Sequence, residues 1–200
     1  DSARLGALLN LPLPPGFTVE GELALAGTSR LLQPVAGSLR MASSDIELEL
    51  TPLGGLIRPF ATTPLSGLRA SARLSMSDTS ALSQFLTRPM PSLGEVRGNA
   101  LLKQSEGVLE LRDIDLDLVG SEQLLQLTGN IPDLGSFDGA RLATRFAGVS
   151  ITTLLVTALQ ELHYEAPLGA LQGNAEFSNI GGRWDLTRFR AESTPSGGPL

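Results

Sequence analysis

The sequence predicts a mainly β protein: a long, curved antiparallel sheet of repeats of about 76 residues, each with about four strands and a short helix, forming an open apolar groove. Three observations point there. The stretch from Glu95 to Ile131, EVRGNALLKQSEGVLELRDIDLDLVGSEQLLQLTGNI, reads as three consecutive strands joined by tight turns. Its pattern recurs on both sides. Gly94, Gly98, Asn99 and Ala100 return as Gly169, Gly173, Asn174 and Ala175, an offset of 75, while Leu82, Leu86, Pro89, Pro91, Val96, Gly98 and Leu102 match Leu5, Leu9, Pro12, Pro14, Val19, Gly21 and Leu25, an offset of 77. Finally, apolar and polar residues alternate with a period of two through most of the chain, so each strand has one greasy face. The units fall at residues 1–80, 81–153 and, as a partial third with a frayed tail, 154–200, all in one continuous sheet.

Taken in order, residues 2–9 (SARLGALL) match the tail of a helix from a preceding unit, and Pro12, Pro14 and Pro15 stop it by removing amide donors. A first strand runs from about Phe17 to Ala26, with Val19, Gly21, Leu23 and Leu25 on one face. A second covers Leu31 to Ala42. In the third, Asp45 to Thr51, Ile46, Leu48 and Leu50 point one way and Asp45, Glu47 and Glu49 the other. The string TPLGGLIRPFATTP, which begins at Thr51 and carries most of a Pro/Gly-rich segment over 52–65, reads as a connection whose Leu53, Leu56, Ile57 and Phe60 have apolar surface to pack. The fourth strand, Ser66 to Met76, sets Leu68, Ala70, Ala72, Leu74 and Met76 against Arg69, Ser71, Arg73 and Ser75. Asp78 then reads as the N-cap of a short helix through Leu86, with Leu82, Phe85 and Leu86 as its buried side.

The second unit repeats the order, with strands near 95–104, 107–119, 122–131 and 138–148 and a helix over 151–162 behind Ser150. Arg141 and Arg145 stand where Arg69 and Arg73 stood. Two more strands follow near 169–178 and 182–191. Within 107–119, Leu109 and Leu111 are out of phase with Ile114, Leu116 and Leu118, which requires an extra residue at Arg112-Asp113. Trp184 and Leu186 stand in the same relation to Phe189 and Ala191, with the break at Thr187-Arg188. Leu32 against Leu39 and Met41 is compatible with a third such bulge.

Four strands ~4.8 Å apart and ~30 Å long present about 600 Å² of face per unit. One helix of about ten residues, ~15 Å by ~10 Å, shields roughly a quarter of that. The remaining apolar face must curl onto itself, meet a partner or hold an apolar ligand, since monomers rarely leave so large a patch wet. The lining residues expected for such a groove are Ile46, Leu48, Leu50, Leu68 and Leu74 in the first unit. In the second they are Val96, Leu102, Leu109, Leu111, Ile114, Leu116, Leu118, Leu125, Leu127, Leu142 and Phe146, and in the third Phe177, Trp184 and Leu186. Built of aliphatic side chains without regular polar anchors, these rows suit flexible acyl chains, held by burial at about 0.8 kcal/mol per methylene.

Composition narrows the partners. A net charge of −6 argues against nucleic acid, and with Lys103 the only lysine there is no polybasic patch for a membrane surface. No cysteine occurs, which removes disulfides and thiolate metal sites and fits periplasm and cytosol equally. The longest near-apolar run, Ile151 to Leu162, is too short and polar to span a bilayer. The chain opens on Asp1-Ser2, as expected of a piece of a longer protein whose targeting segments lie elsewhere.

The runs LELRDIDLDLVGSEQLLQLTGNIPDL, GARLATRFAGVSITTLL and PLGALQGNAEFSNIGGRWDLTRFRAES resemble the periplasmic repeats of the AsmA-like proteins, relatives of TamB. The shared order is amphipathic strand, L-x-G-x-I-x-D-L turn, strand, short helix, Pro-Leu-Gly link and glycine-bearing strand. The match covers roughly 82–192 and is faint over 1–76. The resemblance implies a Gram-negative periplasmic protein, anchored in the inner membrane outside this chain. It also implies a long apolar β-groove passing phospholipid towards the outer membrane, and no catalytic residues or cofactor.

Residue chemistry for an enzyme is lacking in the sequence. His163 is the single histidine, beside Tyr164 at a helix end, where it complements the terminal carbonyls. Asp113, Asp115 and Asp117 lack the glycine turn and bidentate glutamate of a calcium loop and read as a solvated strand face. Phosphate loops, dinucleotide fingerprints, nucleophile elbows and zinc spacings are absent, and Gly54-Gly55 and Gly181-Gly182 read as turns. Arg69, Arg73, Arg141 and Arg145 are expected to pair with acidic neighbours such as Glu47 and Glu49 in preference to lipid head groups. Two readings remain open: a lipid-conducting trough, or a structural repeat with a closed, dry core that binds other envelope proteins.

Overall fold

The computed structural model describes residues 17–61, 65–84, 92, 94–105, 107–119, 124–150 and 170–194. Among them are ten strands: β1 (Thr18–Thr28), β2 (Leu31–Ala42), β3 (Ile46–Ile57), β4 (Leu65–Met76), β5 (Glu95–Ser105), β6 (Val108–Val119), β7 (Leu124–Ile131), β8 (Arg141–Ser150), β9 (Ala170–Ile180) and β10 (Arg183–Thr194). They form one antiparallel sheet in sequence order, each strand pairing with the next, and β10 does not return to β1. Every strand expected from the periodicity is present. Short connections make this order the natural one, because consecutive hairpins need no crossover.

Register carries the two-faced pattern across the whole sheet. One row of opposed residues runs Val19, Met41, Leu48, Leu74, Gly98, Leu116, Leu127, Thr144, Ala175 and Phe189, one from each strand. The adjacent row on the other face runs Glu20, Arg40, Glu49, Arg73, Asn99, Asp115, Thr128, Ala143, Glu176 and Arg188. The first row is thus apolar except for Gly98 and Thr144, while on the other face acids and bases alternate over β1–β4 and again at β9–β10, the pairing that favours this register over a one-residue slip.

The phase breaks are bulges. Leu111 opposes Ile131 and Ile114 opposes Gly129, so β6 spends one residue more than β7, and Asp113 lies there at φ 51°. Leu186 opposes Phe177 and Arg188 opposes Glu176, leaving Thr187 extra on β10. In β2 the extra residue is Val35, next to Pro34, a position where proline is tolerated because the ladder is already interrupted. A further bulge, between Phe146 and Val149 of β8, was not legible as a phase shift.

Three expectations need correction. Residues 51–57 continue β3, so only the second part of the 52–65 segment connects β3 to β4. Gly54 and Gly55 accordingly sit inside that strand at a register irregularity and not in a turn, whereas Gly181-Gly182 do form the β9–β10 turn with φ 60° and 80°. The helix expected from Asp78 is a single 3-10 segment, Thr79–Gln84, in keeping with a sequence rich in Thr and Ser, which compete locally for backbone groups. The side chains of Leu82, Phe85 and Leu86, the helices expected over 2–9 and 151–162, and His163 lie outside the described residues.

Asp78 caps that segment and fastens the link behind it. Its carboxylate accepts the Ser80 N–H at 2.8 Å, the Ser92 hydroxyl at 2.7 Å and the Gly94 N–H at 3.0 Å. Burial alone pushes this carboxyl up, but the hydrogen bonds from Ser80, Ser92 and Gly94 outweigh it and hold the pKa at about 2, below its ordinary 3.8. A depressed folded-state pKa means stability present above the unfolded value and lost as pH falls towards about 2. The urea midpoint should therefore fall between those two values, and Asp78→Asn should cost about 1 kcal/mol at neutral pH while flattening that acid limb. An acid limb of unchanged steepness in Asp78→Asn would count against the cap.

Candidate functional site

The apolar face encloses a hollow of ≈ 260 Å³ whose walls expose only apolar atoms. Met41 of β2, Leu50 of β3, Leu74 of β4, Leu102 of β5, Leu127 of β7 and Leu142 of β8 all line it. In a flat sheet β2 and β8 would lie about 29 Å apart, six strand spacings. Their side chains reach one hollow only because the sheet coils, as the intrinsic twist and the bulges in β2, β6 and β8 require.

Position along the strands divides the expected lining residues among different environments. Leu48, Leu50, Leu74, Leu102, Leu111, Ile114, Leu116, Leu127 and Leu142 meet at the hollow. Ile46, Val96 and Leu118 instead join Phe17, Met41 and Met76 in a packed cluster at one end of the strands, with Ala81 of the 3-10 segment and Leu125 against it. Met76 there is 2% exposed. Leu68 and Leu109 pack with Ala70 and Leu102 at the opposite end. Phe146, with Phe177 and Leu125 beside it, forms a separate cluster with Ala175. Trp184 and Leu186 face the same side but lie open at the β10 edge, the latter 55% exposed.

Several lining residues were missed: Met41, Ala72, Ala100, Ile131 and Leu134. The first four share the phase of residues that were chosen, so phase alone would have found them. Leu134 could not be found that way, since it belongs to the turn 132–140, which folds over the apolar face. Its N–H donates to the Leu109 carbonyl at 2.8 Å, and its side chain packs in two clusters with Leu109 and Ile131. Asp133 stiffens the same turn, accepting from the Gly135 N–H at 2.9 Å and the Ser136 hydroxyl at 2.6 Å. Buried Asn179 ties the turn to the β9–β10 hairpin: its carbonyl accepts from Gly139 N–H and its N–H donates to Ala140 O, each at 2.9 Å. What borders the hollow beyond the strands is therefore 132–140. In the β3–β4 connection Phe60 is 84% exposed.

The opposite face is polar and solvated. Arg73 reaches Glu49 at 3.7 Å, as expected, whereas Glu47 takes Arg40 at 2.7 Å. Arg188 pairs with Glu176 at 2.9 Å. Among the described residues Arg69, Arg141 and Arg145 have no ion pair, contrary to expectation: the residues opposite Arg141 are Asn130 and Ser178, and those opposite Arg145 are Gln126 and Asn174. Asp113 sits in the bulge with its N–H donating to Asn130 Oδ1 at 3.0 Å, Asp115 accepts from Gln126 Nε2 at 2.9 Å, and Asp117 opposes Arg97. These exposed pairs each contribute little to stability.

Fold and hollow together define an open antiparallel sheet with one charged face and one apolar face curled around a greasy hollow. Compared with protein-family models, curated proteins and solved structures, the chain matches none.

Proposed function

We propose that the apolar face is a trough that binds phospholipid acyl chains and lets them move along the sheet, the chain being a periplasmic segment of an AsmA-like envelope protein that carries lipid between the inner and outer membranes. On this reading the chain is a row of repeats, β1–β4, β5–β8 and then β9–β10, whose troughs join end to end. The observation that carries it is the hollow itself, walled entirely by apolar atoms and drawn from seven consecutive strands. The recurrence of a bulge in the second strand of each unit (Val35, Asp113, Thr187) supports the repeat, because equal bends at equal places coil the sheet steadily. Beyond the hollow the face stays open: Phe189 is 58% exposed and Trp184 45%. A wall that exposes only apolar atoms, Asn99 contributing none of its polar ones, binds by burial and gives a chain no polar trap, which is what sliding needs.

One observation favours the runner-up, a structural repeat with a dry core that binds other envelope proteins. The cluster around Met41, Ile46, Met76 and Val96 is already sealed by the protein's own side chains. The two readings part on occupancy. Protein purified from a Gram-negative periplasm should carry phospholipid detectable by mass spectrometry of its extract, and delipidated protein should take up a fluorescent acyl probe saturably. Protein that emerges without lipid and ignores the probe would leave only the structural reading.

A further inference from the structure

The side chains lining the hollow stand on interior strands, β2 to β8, where register fixes them, with one exception: Leu134. Its place is set by the turn 132–140, which starts where β7 ends and crosses the apolar face. There Leu134 packs against two clusters at once, Ala70, Leu102 and Leu109 in one and Ile114, Ile131 and Ala140 in the other. At the other end of the strands Met41, shared with the sealed cluster around Ile46 and Met76, borders the hollow. The turn is stiff enough to hold a boundary. Besides the hydrogen bonds of Leu134 and Asn179, the Gly181 N–H donates to Asp138 Oδ1 at 2.7 Å and the Phe137 N–H to the Asp133 carbonyl at 2.7 Å. The Phe137 ring leans on Trp184, centroids 6.4 Å apart.

A methylene needs roughly the 30 Å³ that a water takes up in the liquid, so a hollow of ≈ 260 Å³ encloses about nine of them. Further carbons of a longer chain lie on the open face, where one side stays wet and each gains less. We propose that Leu134 is the ruler of the hollow, setting how many carbons of one acyl chain are enclosed at a time. This rests on the trough reading and adds a length to it. Leucine exceeds alanine by three carbons, so trimming Leu134 should lengthen the enclosed run by about three. The turn survives that change, because Leu134 is tied to Leu109 through its backbone N–H, and Asp133, Asp138 and Asn179 keep their own bonds.

The test is displacement of a fluorescent acyl probe from the delipidated 200-residue chain by straight fatty acids, each kept below its aggregation concentration. Wild-type affinity should rise about fourfold per added carbon up to about ten, the carboxyl carbon staying outside, and more gently beyond. Leu134→Ala should move that break to about thirteen carbons and Leu134→Val to about eleven, while Leu134→Met, of nearly equal volume, should leave it in place. Circular dichroism reports whether each variant is folded, and the valine variant carries the test on its own should the alanine one unfold. A break that stays put in the smaller variants, or affinity that climbs steadily to the longest acid, would overturn the ruler and leave the trough standing. Protein that binds neither the probe nor any acid would overturn the trough reading and the ruler with it.

Discussion

Leu127→Asp is expected to abolish acyl-chain uptake while leaving the sheet folded. Leu127 lies in the cross-sheet row on β7, opposite Leu116 and Thr144, half-buried and lining the hollow. A carboxylate placed there can keep its water by facing the hollow, so the cost to the fold stays near 1 kcal/mol, the ordinary size of a point substitution. The hollow, however, gains a charge that an alkyl chain cannot approach without stripping its hydration. Probe uptake should fall at least about tenfold, the far-UV circular dichroism should match wild type, and the urea midpoint should move little. Met76→Asp supplies the contrast. At 2% exposure and packed against Ile46 and Val96, it has no route to water, and an unpaired carboxylate there should cost several kcal/mol and unfold the sheet. If Leu127→Asp unfolds as Met76→Asp does, the hollow is dry core and the transport reading fails.

Gly98→Ala should destabilise the sheet by about 3 kcal/mol, an unusually large effect for one methyl group. A Cβ at this position would come 2.2 Å from the Asp115 carbonyl oxygen, 2.7 Å from Leu116 Cα and 2.4 Å from Leu116 Cδ2. Two of those atoms are backbone of the paired strand and cannot swing aside, so β5 and β6 would have to separate. Gly135→Ala is the matched control: its Cβ would meet only the Asp133 carboxylate, at 3.3 Å, in an exposed turn, and its midpoint should stay within about 0.5 kcal/mol of wild type. Urea denaturation of the three proteins measures both. Equal midpoints for Gly98→Ala and wild type would mean that the close approach of β5 and β6 is not a tight constraint. The repeat reading adds that Gly173, whose Cβ would lie 2.1 Å from the Arg190 carbonyl oxygen, should behave as Gly98 does.

The sequence by itself determined the strands and their faces. Period-two alternation is local, so Leu48 and Leu50 could be assigned to one side and Glu47 and Glu49 to the other without knowing any partner. The bulges at Asp113 and Thr187 were legible for the same reason: a phase shift inside one strand leaves a mark in that strand. Local signals failed where the answer depended on something distant. The residues after Thr51 look like a connection because of Pro52, Gly54 and Gly55, yet β4 draws them into the ladder up to Ile57.

Only the tertiary structure decided which apolar residues pack and which line a hollow. Ile46 and Leu48 are indistinguishable by pattern, but one is sealed with Phe17 and Met76 while the other borders open space. The difference arises from coiling, summed over twist and bulges in many strands, which brings β2 to the same hollow as β8. It arises too from the turn 132–140, which carries Leu134 over the face. Alternation records which side of the sheet a residue faces. How far that side bends, and what it then meets, is a sum of long-range geometry that no single strand contains.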